Sequence, residues 1–172
     1  MPLISLSLGS NRDARRSLAL GLQALEQQLG ALQVSPVFES EPVGFIGPNF
    51  LNLVVCFEST LPLAALAATL KAIEDAHGRD RLSPRYSDRT LDIDILCYGD
   101  LCGVHEGIEL PRAEILHNAY VLRPLAALLP EQRHPLNQQT FAQLWRDYDK
   151  GLQALWAVEF EWQGLLISKP ER

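Results

Sequence analysis

The spacing of apolar and polar residues changes period several times along this chain, and each change predicts an element. Leu3 to Leu8 alternates apolar residues with serine, the period-two pattern of a strand, and Gly9-Ser10-Asn11 closes it. From Ala14 the period becomes helical. Leu18, Leu22, Leu25 and Leu29 share one face, Asn11 or Asp13 is placed as N-cap, and Gly30 is placed as a C-terminal stop. Leu32 to Phe38 reads as a second strand and Phe50 to Phe57 as a third. Between them, the run from Pro42 to Pro48 is a loop stiffened at both ends by proline. Pro62 suits the first position of a second helix bearing Leu63, Leu66, Leu70 and Ile73, with Gly78 as its stop. A polar stretch from Arg79 to Thr90 follows, and then LDIDILCY, a fourth strand.

The order β-α-β-β-α-β predicts an α+β fold, the ferredoxin-like split βαβ, with two helices over one face of an antiparallel sheet. Beyond it come a short extended piece at Ile108 to Pro111 and a helix over Tyr120 to Leu129, which Pro124 starts or kinks. A further helix carries Phe141, Leu144, Trp145 and Tyr148, and the alternation of VEFEW suggests an edge strand. No repeat or linker interrupts the chain. The expectation is a single domain over 1–172, with a core at about 3–129 and a C-terminal helical extension at about 130–172.

Composition narrows the class. With 172 residues, 47% hydrophobic and 21% charged, the chain can bury a sizeable core. A net charge of −6 argues against general nucleic-acid binding, although a local basic cluster could still hold a small polyanion. Three cysteines without a Cys-x-x-Cys pair describe neither a disulfide framework nor a structural zinc site. The longest uncharged stretch, Pro42 to Phe57, has 16 residues broken by proline and glycine, too short and too polar to span a bilayer. The N-terminus lacks a basic leader. The expected setting is the cytoplasm, without nucleic acid, membrane or an obligate protein partner.

The sharpest chemical feature is Asp92-Ile93-Asp94. Residues two apart on a strand face the same way, so both carboxylates point to one side while Ile93 and Ile95 point into the core. Adjacent carboxylates repel unless a cation lies between them, and Mg2+ binds one or two carboxylates with waters and phosphates completing its shell. Immediately upstream, Arg79, Arg81, Arg85 and Arg89 crowd an 11-residue window. Arginine suits bidentate phosphate contact, so acids and arginines together fit a metal-bound polyphosphate. The plainer alternative is a solvated loop whose arginines pair with neighbouring aspartates. A second half-site is the 41–52 loop, whose rigid backbone groups, with the Asn52 amide and the Phe50 ring, suit a flat heterocycle. The same residues also serve as turn and core.

Arg89-Thr90-Leu91-Asp92-Ile93-Asp94-Ile95-Leu96, with Leu8-Gly9-Ser10-Asn11 upstream, resembles the 6-hydroxymethyl-7,8-dihydropterin pyrophosphokinases over about residues 3–129. The resemblance implies transfer of pyrophosphate from ATP to the pterin's hydroxymethyl oxygen, with folate biosynthesis as the setting. It implies two Mg2+ ions on Asp92 and Asp94, with Asp92 also near the pterin hydroxyl. Arg79 and Arg89 would contact phosphate, Glu74 would lie next to the nucleotide, and Arg81, Arg85 and Tyr86 would belong to a nucleotide lid. The pterin would meet loop backbone at Ser40, Pro42, Val43 and Gly44, the Asn52 amide, and two stacking rings at Phe50 and Tyr120. Many relatives carry tyrosine at the first ring position and phenylalanine at the second, so here the hydroxyl has moved.

The nucleotide side departs from the family pattern. Ser87-Asp88 replaces a usual Gly-Pro, Leu110-Pro111-Arg112-Ala113 lacks the usual histidine, and Asn118 replaces an arginine. Arg112 would then substitute as a nucleotide ligand. Two other readings stay open: a pterin-binding paralogue with little or no transfer, and a ferredoxin-like interaction module with no ligand.

Overall fold

The computed structural model describes residues 1–77 and 90–171. Strand β1 (Leu3–Ser10) is followed by helix α1 (Ala14–Leu29), short strands β2 (Gln33–Val34) and β3 (Val37–Ser40), and β4 (Phe50–Glu58). Helix α2 (Leu63–Ala76) then leads to β5 (Asp92–Tyr98). The sheet order is β5-β1-β4-β3, antiparallel throughout, with β2 also paired to β4. This is the ferredoxin-like arrangement expected from the periodicity.

Alternation decides which side chains meet which helices. Leu6 and Leu8 of β1, Leu53 and Val55 of β4, and Ile93 and Ile95 of β5 share one sheet face. They pack against Leu18, Leu22 and Leu25 of α1 and Leu66, Leu70 and Ile73 of α2. Burying each such side chain contributes about 1.5–3 kcal/mol, so a register slip that exposed this row would be very costly.

The opposite face is divided. After the hairpin β6 (Gly103–His105) and β7 (Ile108–Leu110) come α3 (Glu114–His117), α4 (Ala119–Leu128) and α5 (Phe141–Asp147). Ile115, Val121, Leu122, Leu125 and Phe141 from these helices cover Val54, Leu96 and Cys97 of the sheet. The rest of that face carries Ser7, Gly9, Phe50, Asn52, Asp92 and Asp94.

Several expected details shift. Asp13 occupies the N-cap position of α1 in a left-handed conformation (φ 46°) but makes no side-chain cap, and Asn11 donates instead to Pro48 O at 3.1 Å. Pro62 precedes α2 rather than opening it. The second strand is split at Pro36, which has no N–H to offer a ladder. Pro124 is the sixth residue of α4 and buried, neither its start nor its end. Tyr148 lies just past α5.

The C-terminal extension is only partly helical: β8 (Leu155–Val158) pairs with β3 along the sheet edge, and β9 (Phe160–Trp162) and β10 (Leu165–Ser168) form a hairpin. The edge strand therefore begins three residues before the VEFEW run. The three cysteines are free, and no helix among the described residues is long and apolar enough to cross a membrane.

Candidate active site

Strand register assembles the site. Gly9 pairs with Asn52 on one side and with Asp92 on the other, so these residues form one row across β4, β1 and β5. One step along, Ser7 lies between Val54 and Asp94. Partners in an antiparallel pair point to the same face, which puts the Asn52 amide and both aspartates on the face that α1 and α2 leave uncovered. Phe50 pairs with Ser40 on that same face, and the Ser40 hydroxyl donates to Asn52 Oδ1 at 3.4 Å. Ser40, Phe50, Asn52, Asp92 and Asp94 are thus brought together.

The loop that carries Pro42, Val43 and Gly44 is fastened at its base. Asn49 donates to Glu39 Oε2 at 2.9 Å, and Asn11 reaches Pro48 O. Its tip is exposed at Val43 and Ile46, while Phe45 meets Phe50 edge to face at 6.2 Å.

Asp94 is held in an electrostatically costly place. Burial, and then the neighbouring Asp92 charge, push its carboxyl up to about 7. Arg112 opposes this from 3.6 Å and pairs more tightly with Glu114, at 2.7 Å. The Arg112 backbone N–H bonds to Leu96 O at 2.9 Å, which seats this segment beside β5. Burial works against the guanidinium charge, but Asp94 and Glu114 outweigh it and hold its pKa above the ordinary value.

Glu74 is buried, and its Oε2 accepts the N–H of Ile93 at 2.8 Å, bracing the backbone between the two aspartates. Tyr120 lies on α4, which packs on β4 and β3, and its hydroxyl accepts from Asn118 Nδ2 at 2.9 Å. Arg79, Arg81, Arg85, Tyr86, Asp88 and Arg89 lie outside the described residues. Periodicity and motif alone missed Gly9 as the open centre of the row, Glu114 as the partner of Arg112, and Gln153, whose side chain meets Asn118. The Gly9 signal was available, as a glycine inside an alternating strand.

Among the described residues no group of three or more His, Cys, Asp or Glu side chains is arranged to hold a metal. The acids form a pair, and oxygen donors on one open face suit a hard cation that takes its remaining ligands from water and phosphate.

Comparison with known proteins places this chain in a class of transferases, the pyrophosphokinases. Residues 5–130 match the family model described as 7,8-dihydro-6-hydroxymethylpterin-pyrophosphokinase (HPPK). The chain is 36% identical over 141 residues to the 2-amino-4-hydroxy-6-hydroxymethyldihydropteridine pyrophosphokinase of Pseudomonas aeruginosa, covering 77% of this chain and 83% of that one. It is 34% identical over 135 residues to the folate synthesis bifunctional protein of Chlamydia caviae, covering 74% of this chain but 30% of the relative. The Plasmodium falciparum HPPK-DHPS structure with pteroate superposes with a TM-score of 0.68 at 15% identity, over 85% of this chain and 42% of that one, a likeness of fold. The chain therefore spans under half the length of these two longer proteins.

The chain belongs to the 7,8-dihydro-6-hydroxymethylpterin-pyrophosphokinase family, and is an enzyme of the pyrophosphokinase class.

Proposed function

We propose that the chain transfers a pyrophosphoryl group from ATP to the hydroxymethyl oxygen of 6-hydroxymethyl-7,8-dihydropterin, in a Mg2+-dependent reaction giving AMP and the pterin diphosphate for folate biosynthesis. It acts as one domain in the cytoplasm, the core at about 3–129 completed by the extension. The observation that carries this reading is the row Asn52–Gly9–Asp92, which sets an amide suited to a heterocycle beside a carboxylate suited to a cation.

Asn52 presents a donor and an acceptor to the pterin, backed by loop backbone at Ser40, Pro42, Val43 and Gly44, with Phe50 and Tyr120 as its stacking walls. Asp92 and Asp94 hold two Mg2+ ions, which supply charge neutralisation to the polyphosphate. Arg79 and Arg89 face phosphate oxygens, Arg81, Arg85 and Tyr86 enclose the nucleotide, and Arg112 adds a cation beside Asp94. Glu74 keeps the two aspartates in register. In the reaction a bond forms between the pterin hydroxymethyl oxygen and the β-phosphorus of ATP. The bond from that phosphorus to the oxygen shared with the α-phosphate breaks, AMP leaves, and the hydroxyl proton is lost. No covalent enzyme intermediate is required, so positioning and charge compensation carry the rate.

Incubation with the pterin and ATP, with and without Mg2+, followed by nucleotide analysis, tests the reading. Mg2+-dependent AMP without ADP supports it. A second reading, pterin binding without transfer, draws on Arg112 standing at the Asp94 carboxylate where a metal would compete with it. Pterin binding with no AMP formed would favour that one.

A further inference from the structure

Residues beyond 130 lie outside the stretch that matches the family model, yet one of their side chains enters the site's hydrogen-bond network. Gln153 is half-buried in the segment between α5 and β8. Its Nε2 donates to Asn118 Oδ1 at 3.2 Å, and its Oε1 accepts the N–H of Ala119 at 2.8 Å. Ala119 is the first residue of α4, where backbone donors have no partner within the helix, and Asn118 at the cap position makes no side-chain cap. Gln153 supplies the missing acceptor from a distant part of the chain.

The other half of the Gln153 amide orients Asn118. With Oδ1 engaged by Gln153, Asn118 turns Nδ2 toward the Tyr120 hydroxyl at 2.9 Å and toward Glu114 Oε2 at 3.4 Å. Glu114 in turn holds Arg112, which faces Asp94. Neighbouring contacts fasten the extension to the same turn. Tyr148 donates to His117 O at 2.9 Å, Arg123 donates to Leu155 O at 3.2 Å, and Leu155 pairs with Ser40 across β8 and β3.

We infer that Gln153 is a positioning residue for the pterin site, fixing the Tyr120 ring through Asn118, so that the C-terminal extension is a working part of the site. This rests on the proposed role of Tyr120 as a wall of that site. The Asn118–Tyr120 bond exists only because residue 120 carries a hydroxyl. A phenylalanine there would leave Asn118 Nδ2 with Glu114 alone, and Gln153 would no longer act on the ring.

The test measures dissociation constants for 6-hydroxymethyl-7,8-dihydropterin and for a non-hydrolysable ATP analogue in the full chain. The variants are Gln153→Ala, Tyr120→Phe, their double mutant, Gln153→Glu and Tyr120→Ala. Gln153→Ala is expected to weaken pterin binding about three- to tenfold, the scale of one hydrogen bond. The loss of nucleotide affinity should be distinctly smaller, since Arg112 keeps its own 2.7 Å bond to Glu114. Tyr120→Phe should weaken it by a similar factor, and the double mutant should be no worse than Tyr120→Phe alone. Gln153→Glu keeps an acceptor for Ala119 N–H but loses the donor to Asn118. It should therefore stay folded and show the same weakening, even if Gln153→Ala does not fold. Multiplying effects in the double mutant, equal losses for both ligands, or wild-type pterin affinity in Gln153→Glu would each overturn the inference. If Tyr120→Ala itself binds pterin normally, the role given to Tyr120 fails, and this inference falls with it. Weakened binding in Tyr120→Ala with normal binding in both Gln153 variants overturns only the inference.

Discussion

Gly9 and Asn52 face each other across β1 and β4, and a Cβ built on Gly9 would fall 2.6 Å from Asn52 Nδ2, far inside contact distance. The missing side chain is what lets the Asn52 amide lie over the sheet. Asp92 is the partner of Gly9 on its other side, so the same absence keeps the gap between amide and carboxylate open.

Replacing Gly9 with alanine should therefore act on ligand binding as well as on stability. The added methyl must displace the Asn52 amide, which is 6% exposed and engaged with Ser40, so it cannot move away freely. A destabilisation of about 1–3 kcal/mol is expected, with roughly tenfold weaker pterin binding. Denaturant unfolding and a pterin titration measure the two effects, and unchanged pterin affinity would remove the row from the site.

Glu74 gives a second prediction, because it serves the aspartates through backbone. Glu74→Ala leaves the Ile93 N–H without its 2.8 Å acceptor and should cost about 1–3 kcal/mol together with most Mg2+-dependent activity. Glu74→Gln retains a carbonyl in that position and should recover most of both. Equal losses in the two variants would instead mean that the carboxylate charge matters.

A third prediction concerns pH and lies away from the site. His134 is 2% exposed, its Nδ1 accepts the N–H groups of Leu136 and Asn137, and burial holds its pKa below the ordinary value. The unfolded chain therefore gains a proton before the folded one does. This group's contribution to stability is complete above about pH 6.5 and is lost as acidification proceeds toward the lower folded value. In His134→Asn, whose Oδ1 can accept the same N–H groups, the unfolding midpoint should fall less than wild type between about pH 7 and about pH 5. Parallel pH curves for the two proteins would contradict this.

Much of this architecture is legible in the amino-acid sequence. Leu18, Leu22 and Leu25 are fully buried because a helical period points them all at one sheet face. Asp92 and Asp94 share a side for the equally local reason that strands alternate. What escaped depended on register and long-range closure. Pro36 breaks the second strand, and the neighbouring Ser35 hydroxyl accepts the N–H of Val54 at 2.9 Å at the break. The edge strand could not be bounded from the alternation of VEFEW, because that pattern runs across Glu159 from the last residue of β8 into β9. Leu155 to Val158 is continuously apolar and shows no period of two. The contacts of Arg112 with Asp94 and of Gln153 with Asn118 join residues far apart in sequence, and no local period encodes such pairs.

The most direct measurement is AMP formation by Asp94→Ala, with pterin, ATP and Mg2+ at saturating levels, beside its thermal unfolding. Losing a group that anchors charge compensation should cut the rate by a factor on the order of 10²–10³ or more. The variant should unfold at no lower temperature than wild type, since a half-buried carboxylate beside Asp92 burdens the fold that carries it. Wild-type AMP formation by Asp94→Ala would contradict the assignment of the metal-bound phosphate to this strand face.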